Sequence, residues 1–229
     1  MTTAARIDHL VVAVDTLEQG VAWCEQTLGV QPGPGGEHPL MGTHNRLLRI
    51  ATVDHPRAYL EIIAANPAQA AAAEGRRRWF DLDDAALRTA VREQGPRFVH
   101  WVAQVPDLPA ALAALRELDI ERGEIVTASR MTPRGLLQWQ ISVRDDGRRL
   151  FDGCLPTLIA WGDVHPAGGM AESGVTLHRL AVRHPRAGEL RRAFAALGLE
   201  GLEVADGPAN LCATLLAPRG AVRLESQGL

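Results

Sequence analysis

Lysine is missing from this chain: all 24 basic residues are arginine. Schiff-base lysine chemistry, covalent pyridoxal phosphate and a Walker-type phosphate lysine are therefore excluded. Cysteine is sparse. Cys24, Cys154 and Cys212 are scattered without a C-x-x-C pair, and two of them sit inside apolar patterns. That argues against a disulfide framework and for free thiols in a reducing compartment, so a cytoplasmic location is expected. There is no basic excess either, because 27 acidic residues outweigh the 24 arginines and the net charge is −3. A nucleic-acid partner is disfavoured on that balance. No apolar run approaches the ~20 residues of a membrane span, and Met1–Arg6 lacks the apolar segment of a signal peptide. H-E-x-x-H and G-x-S-x-G motifs are also absent.

What the chain does have is an internal repeat. Ile7 to Gly29, IDHLVVAVDTLEQGVAWCEQTLG, reads as an apolar strand, a turn and a capped helix. Thr16 and Gln19 form an S/T-x-x-E/Q capping box, Leu17, Val21, Cys24 and Leu28 follow at helical spacing, and Gly29 supplies the left-handed stop. Phe98 to Leu118 repeats the unit: with His100 laid on His9, Val102 falls on Val11, Val105 on Val14 and Leu108 on Leu17. A looser third copy spans Thr176 to Gly198, with either Leu177 or His178 in the His9 position. Strand signals after each copy extend it to a βαβββ order. The expected fold is α+β. The expected organisation is a first module at 1–67, a helical insertion at 68–96, a second module at 97–166 and a third, degenerate one at 167–229. In the insertion, Ala-rich sequence leads to Arg76–Arg78, whose first reading is a solvated face and second an acidic-ligand site. Trp79 and Phe80 follow, either packed onto a module or placed in the contact of a homodimer.

Glu61 is the most informative single residue. It lies in the run Tyr59-Leu60-Glu61-Ile62-Ile63, and a carboxylate buried there without a partner costs several kcal/mol. His9 and His100 pose the same question at equivalent places in two repeats. The glycine-rich stretch Gly35 to Asn45 brings His38, Thr43, His44 and Asn45 close together. Its backbone N–H groups can cradle an oxyanion, or the polar residues can simply fix a turn. It is not a dinucleotide fingerprint, because it follows a helix instead of leading from strand to helix. Arg130 carries a fork suited to a carboxylate or enolate, or is simply exposed, and with Gln138, Trp139 and Gln140 on the next strand it is expected to line the second module's half of a ligand cavity. His55, His165 and His184, each before a proline, read as loop residues, and Glu225 reads as solvated.

The paired βαβββ pattern and the D-H-L-V-V-A-V opening resemble the vicinal oxygen chelate superfamily of glyoxalase, dioxygenase and resistance-protein folds. More narrowly, GGEHPLMGTHN, YLEIIAANP and LPTLIAWGD are similar to the glyoxalase-like domain family. The resemblance covers residues 6 to 166 well and the third copy poorly. It implies two modules facing each other as half-barrels around a cavity that takes a small-molecule ligand. It also implies ligands to a divalent metal (Zn, Fe, Mn or Ni) from the first and last strands of each module. Carried over, these are His9, Glu61 and His100, while the last-strand position of the second module falls at about Leu158, which cannot bind metal. Two functions remain open: an enzyme doing lyase, isomerase or dioxygenase chemistry, with His9 and Glu61 catalytic and Glu61 a general base if metal is absent, or a non-catalytic small-molecule binding protein of the same fold.

Overall fold

The computed structural model describes residues 5–69, 76–132 and 135–228. Met1 to Ala4, most of the alanine run and the Pro133–Arg134 turn lie outside the described residues. The first module consists of β1 (Arg6–Ala13), α1 (Leu17–Leu28), β2 (Glu37–His38), β3 (Thr43–Arg49) and β4 (Tyr59–Ala65). Thr16 caps α1 by accepting from the Gln19 amide, and Gly29 ends it at φ +76°. The Gln19 side chain reaches back to the Asp15 amide. The glycine- and proline-rich stretch before β3 contributes only the two-residue β2 and a short 3-10 turn at Pro39–Met41.

Residues 76–84 and α2 (Ala85–Gln94) form the insertion. The second module follows as β5 (Arg97–Gln104), α3 (Leu108–Arg116), β6 (Glu124–Thr132), β7 (Gly135–Val143) and β8 (Thr157–Trp161). The two modules share one sheet of order β2-β3-β4-β1-β5-β8-β7-β6, symmetric about the antiparallel β1/β5 seam. On each side the first strand pairs parallel with the last strand of its own module. Val11 lies opposite Glu61, and Val102 opposite Thr157. Thr157, not Leu158, therefore holds the place equivalent to Glu61; Leu158 turns to the helix-side core.

The third unit, β9 (Thr176–Arg183), α4 (Ala187–Leu197), β10 (Glu203–Ala205), β11 (Asn210–Ala217) and β12 (Gly220–Glu225), keeps the βαβββ order but is wired differently. Its sheet runs β10-β9-β11-β12, so β9 pairs parallel with the strand after its helix and not with the last one. Leu177 points inward and His178 is exposed.

Alternation along the central strands makes two cores. On the helix side, Leu10, Val12, Leu60 and Ile62 pack with α1, α3 and the third unit in one cluster, where the Trp101 ring meets Phe194 edge-on at 5.8 Å. On the concave side, Val11, Ala13, Ile63, Val99, Val102, Ile141 and Ile159 pack with Phe80, Leu82, Leu87 and Val91 of the insertion. The insertion thus fills part of the concave face of the sheet. Arg76 and Arg78 are pinned to Asp145 and Asp83, which leaves Arg77 as the exposed member of the run.

Candidate active site between the modules

A strand that buries both faces normally sends successive side chains to opposite sides. β1 breaks that rule at one residue. In its ladder with β5, Ile7 pairs with Ala103 and His9 with Val102, so Asp8 is skipped as a bulge. Bulges re-aim a side chain, and here the carboxylate of Asp8 meets the ring of its own neighbour. Asp8 Oδ1 lies 2.6 Å from His9 Nδ1. Its other oxygen accepts from Trp161 Nε1 at 2.8 Å and from His165 Nε2 at 3.0 Å. His165 Nδ1 in turn accepts from the Ala167 amide, which fixes the tautomer that donates to Asp8.

On its other side His9 Nε2 stands 3.5 Å from Glu61 Oε2, and the Tyr59 ring stacks on the imidazole at 4.5 Å. Asn45 Nδ2 donates to Glu61 Oε1 at 2.6 Å. Thr43 Oγ1 meets His38 Nδ1 at 3.0 Å, and His38 Nε2 lies 3.5 Å from Asn45 Nδ2. The result is a buried chain, His165–Asp8–His9–Glu61–Asn45, running from the second module's exit to the first module's β3.

Its electrostatics follow from burial and charge together. Burial alone would lower the pKa of His9, but hydrogen bonds to Asp8 and Glu61 and the charges of both outweigh it and raise the ring to about 9. His9 is therefore an imidazolium at neutral pH. Burial opposes ionisation of Glu61 too, and His9, His38 and Asn45 overcome it and lower its pKa. Asp8 is held far below the usual carboxylate range, its burial offset by His165 and His9. His38 goes the other way: burial, with Arg130 and His9 nearby, brings it down to about 4, so its ring is neutral.

His9, His38, Asn45, Tyr59 and Glu61 face a cavity of about 40 Å³. Arg130, reaching in from β6, supplies the opposite wall with Trp139 and Trp161. Gly36 leaves the space that the Arg130 guanidinium fills. Among the described residues, no carboxylate pairs with Arg130.

The other residues singled out from the sequence fall elsewhere. His44 lies on the opposite face of β3 from Thr43 and Asn45, away from the cavity. Gln138 and Gln140 are exposed, because in β7 it is Leu137, Trp139 and Ile141 that turn inward. His165 and His184 sit in loops as expected, yet both rings are buried; His184 pairs with Asp152 at 3.0 Å.

His100 does not join His9 and Glu61. Its Nδ1 donates to the Gly153 carbonyl at 3.0 Å, and its Nε2 accepts from the Thr157 amide at 3.1 Å with the Thr157 hydroxyl at 3.0 Å. Both nitrogens are used within the protein, and burial with Arg122 and Arg149 nearby depresses its pKa well below the ordinary value. The Phe80 ring, 5.1 Å from the His100 ring, closes this second pocket. Phe80 and Asp81 both adopt φ +59°, and the turn is held where Asp81 bonds Arg149 and the Gly147 carbonyl.

A divalent metal needs at least three such donors aimed at one point. Among the described residues, no group of three His, Cys, Asp or Glu side chains meets that requirement. The set His9, Glu61 and His100 is split between two pockets, and the fourth position holds Thr157. The residues present do not fit a metal centre.

Paired βαβββ modules sharing one eight-stranded sheet, with a polar cavity between them, define a vicinal oxygen chelate fold. The chain belongs to the glyoxalase-like domain family, whose model matches residues 7–198. Among solved structures it is similar to a hypothetical protein from Staphylococcus aureus (15% identity, TM-score 0.58, covering 96% of this chain and 85% of that one). It also matches a Streptomyces coelicolor methylmalonyl-CoA epimerase bound to 2-nitronate-propionyl-CoA (17% identity, TM-score 0.44, 72% and 99%). A third match is the epimerase of Mycobacterium tuberculosis (16% identity, TM-score 0.37, 72% and 91%). No curated protein matches the chain.

Proposed function

We propose that this chain binds a small carboxylate-bearing metabolite between its modules and transfers a proton at the carbon next to a carbonyl. One observation carries the reading. Arg130 of the second module enters the cavity of His9, His38, Asn45 and Glu61 of the first, and among the described residues no carboxylate forms an ion pair with it. A half-buried guanidinium without a carboxylate is a ready anion site, and its planar fork matches a carboxylate or an enolate. Glu61 is kept ionised by His9 and oriented by Asn45, which makes it the proton acceptor. His9, held between two carboxylates, supplies positive charge as the proton moves.

The other reading is binding without turnover. It draws on the His9–Glu61 ion pair, which lowers the proton affinity of Glu61. A single experiment separates the two. With 2-oxohexanoate in D2O, exchange of the C3 protons followed by NMR should be accelerated by the wild-type protein. Glu61→Gln should abolish the acceleration and keep binding, whereas Arg130→Gln should abolish both. Binding by the wild type without exchange would make the protein a carrier or sequestering module.

A further inference from the structure

Beside the polar cavity lies a second one of about 210 Å³ that the function above does not use. The two share His38, Trp79, Arg130, Trp139 and Ile141 as common walls. Strand β6 explains the junction. Val126, Ala128 and Arg130 alternate onto one face of it, while Thr127, Ser129 and Met131 are exposed. A single strand face therefore offers a cation at one end and an apolar wall at the other. Leu40, Met41 and Val143 complete the apolar lining, and Glu37 stands at the exposed rim, hydrogen-bonded by Gln69.

A second observation lies at the same junction. Trp79 lines both cavities, and its indole nitrogen is buried without an acceptor among the described residues. A buried N–H left unpaired is costly, and native proteins rarely leave one so unless another group supplies the acceptor.

We infer that the ligand is a 2-oxo monocarboxylate with an apolar chain, whose carboxylate sits on Arg130, whose 2-oxo oxygen accepts from Trp79 Nε1, and whose chain fills the cavity between Ala128, Val126 and Trp139. The assignment rests on the anion site proposed above and extends it to a substrate class. At ~30 Å³ for a water-sized group, the cavity takes about seven such groups, so the chain is of medium length or carries one aromatic ring. A longer polar conjugate finds no hydrogen-bonding side chain in this cavity beyond the shared His38, Trp79 and Arg130, the exposed Ser129 and the rim Glu37.

The test is a series of straight-chain acids, acetate, butanoate and hexanoate, with 2-oxohexanoate as a fourth probe. Binding is read by titration calorimetry and by quenching of tryptophan fluorescence, since Trp79, Trp139 and Trp161 line the site. Affinity should rise up to roughly fourfold per methylene from acetate to hexanoate. Ala128→Phe should bring hexanoate down to the affinity of acetate and leave acetate unchanged. In the wild type 2-oxohexanoate should outbind hexanoate, and Trp79→Phe should remove that advantage. If acetate and hexanoate bind equally and both are lost in Arg130→Gln, the chain pocket is wrong and the anion site stands. If Arg130→Gln binds every acid as the wild type does, the anion site falls and takes this inference with it. Equal binding of hexanoate and 2-oxohexanoate by the wild type would overturn the role of Trp79.

Discussion

Gly36 and Arg130 compete for one space: a β-carbon at residue 36 would stand 1.3 Å from Arg130 Nη1. The atom in the way is the far end of a flexible side chain, and Gly36 does not need a left-handed backbone. Gly36→Ala should therefore fold normally, with a Tm within a degree or two of wild type, while pushing the guanidinium out of the cavity. Affinity for hexanoate should fall at least tenfold. Gly35 gives the contrasting case. A β-carbon there would lie 2.0 Å from the Asn45 backbone oxygen, which cannot swing aside, so Gly35→Ala should destabilise the fold by about 1–3 kcal/mol. Chemical denaturation of the two variants checks the contrast.

The charged chain at His9 makes stability peak at an intermediate pH. The folded-state pKa of His9 is raised from 6.5 to about 9, so its contribution is complete below pH 6.5 and is lost as the pH rises through 9. That of His38 is lowered from 6.5 to about 4, so its contribution is complete above pH 6.5 and is lost as the pH falls through 4. Asp8 and Glu61, both lowered, add to the loss on the acid side. Urea unfolding at a series of pH values should show a maximum near pH 6.5. The alkaline limb should amount to roughly 3–4 kcal/mol, and Glu61→Gln should flatten that limb in part, because Asp8 still holds the ring.

Asp8→Asn removes the anion between two histidines. The protonated His9 would keep only the 3.5 Å contact to Glu61, and the hydrogen bonds from Trp161 and His165 would weaken. A loss of about 3–5 kcal/mol is expected for breaking a buried pair from one side, together with a lower His9 pKa in a histidine-resolved NMR titration. An unchanged His9 titration would show that Glu61 alone holds its proton.

His100 and His9 should respond in opposite ways. His100→Gln should cost about 1–3 kcal/mol by breaking the hydrogen bonds to Gly153 and Thr157, the penalty of buried groups left unpaired. Affinity for hexanoate should stay within twofold of wild type. Neither a chelator nor added zinc or manganese should move the Tm of the wild type by more than a degree, since the donors needed for a metal are separated or already bonded. A metal-dependent rise in Tm that His100→Gln abolishes would restore the three-ligand set.

Much of this was legible in the residues themselves. The apolar run before Asp15, the capping pair at Thr16 and Gln19, and Gly29 are local signals, and they form the strand, cap and stop they imply. Glu61 declared itself because a carboxylate inside an apolar strand needs a partner, and it has two. What could not be read depends on pairing between distant segments. The bulge at Asp8 exists only against β5, some 90 positions further along the chain, and it turns an unremarked aspartate into the residue that charges His9. The inward parity of β7 follows from its partner strands, so of the expected Gln138, Trp139 and Gln140 only Trp139 faces the cavity, with Leu137 and Ile141 beside it. Apolar residues of the insertion announced burial but not which face they would bury. Nothing in the spacing of the third unit distinguishes β10 from β12 as the parallel neighbour of β9.

A duplicated cup would ordinarily offer two equivalent places for a guest. Phe80, lodged against His100, leaves only one of them open. The ligand site proposed above is therefore expected once per chain, and a titration with hexanoate should saturate at one molecule per chain along a simple hyperbola. With no second seat to feel the first, the two halves of the repeat are free to differ. One half turns its histidine and carboxylate toward an open cavity, and the other uses the same positions as mortar.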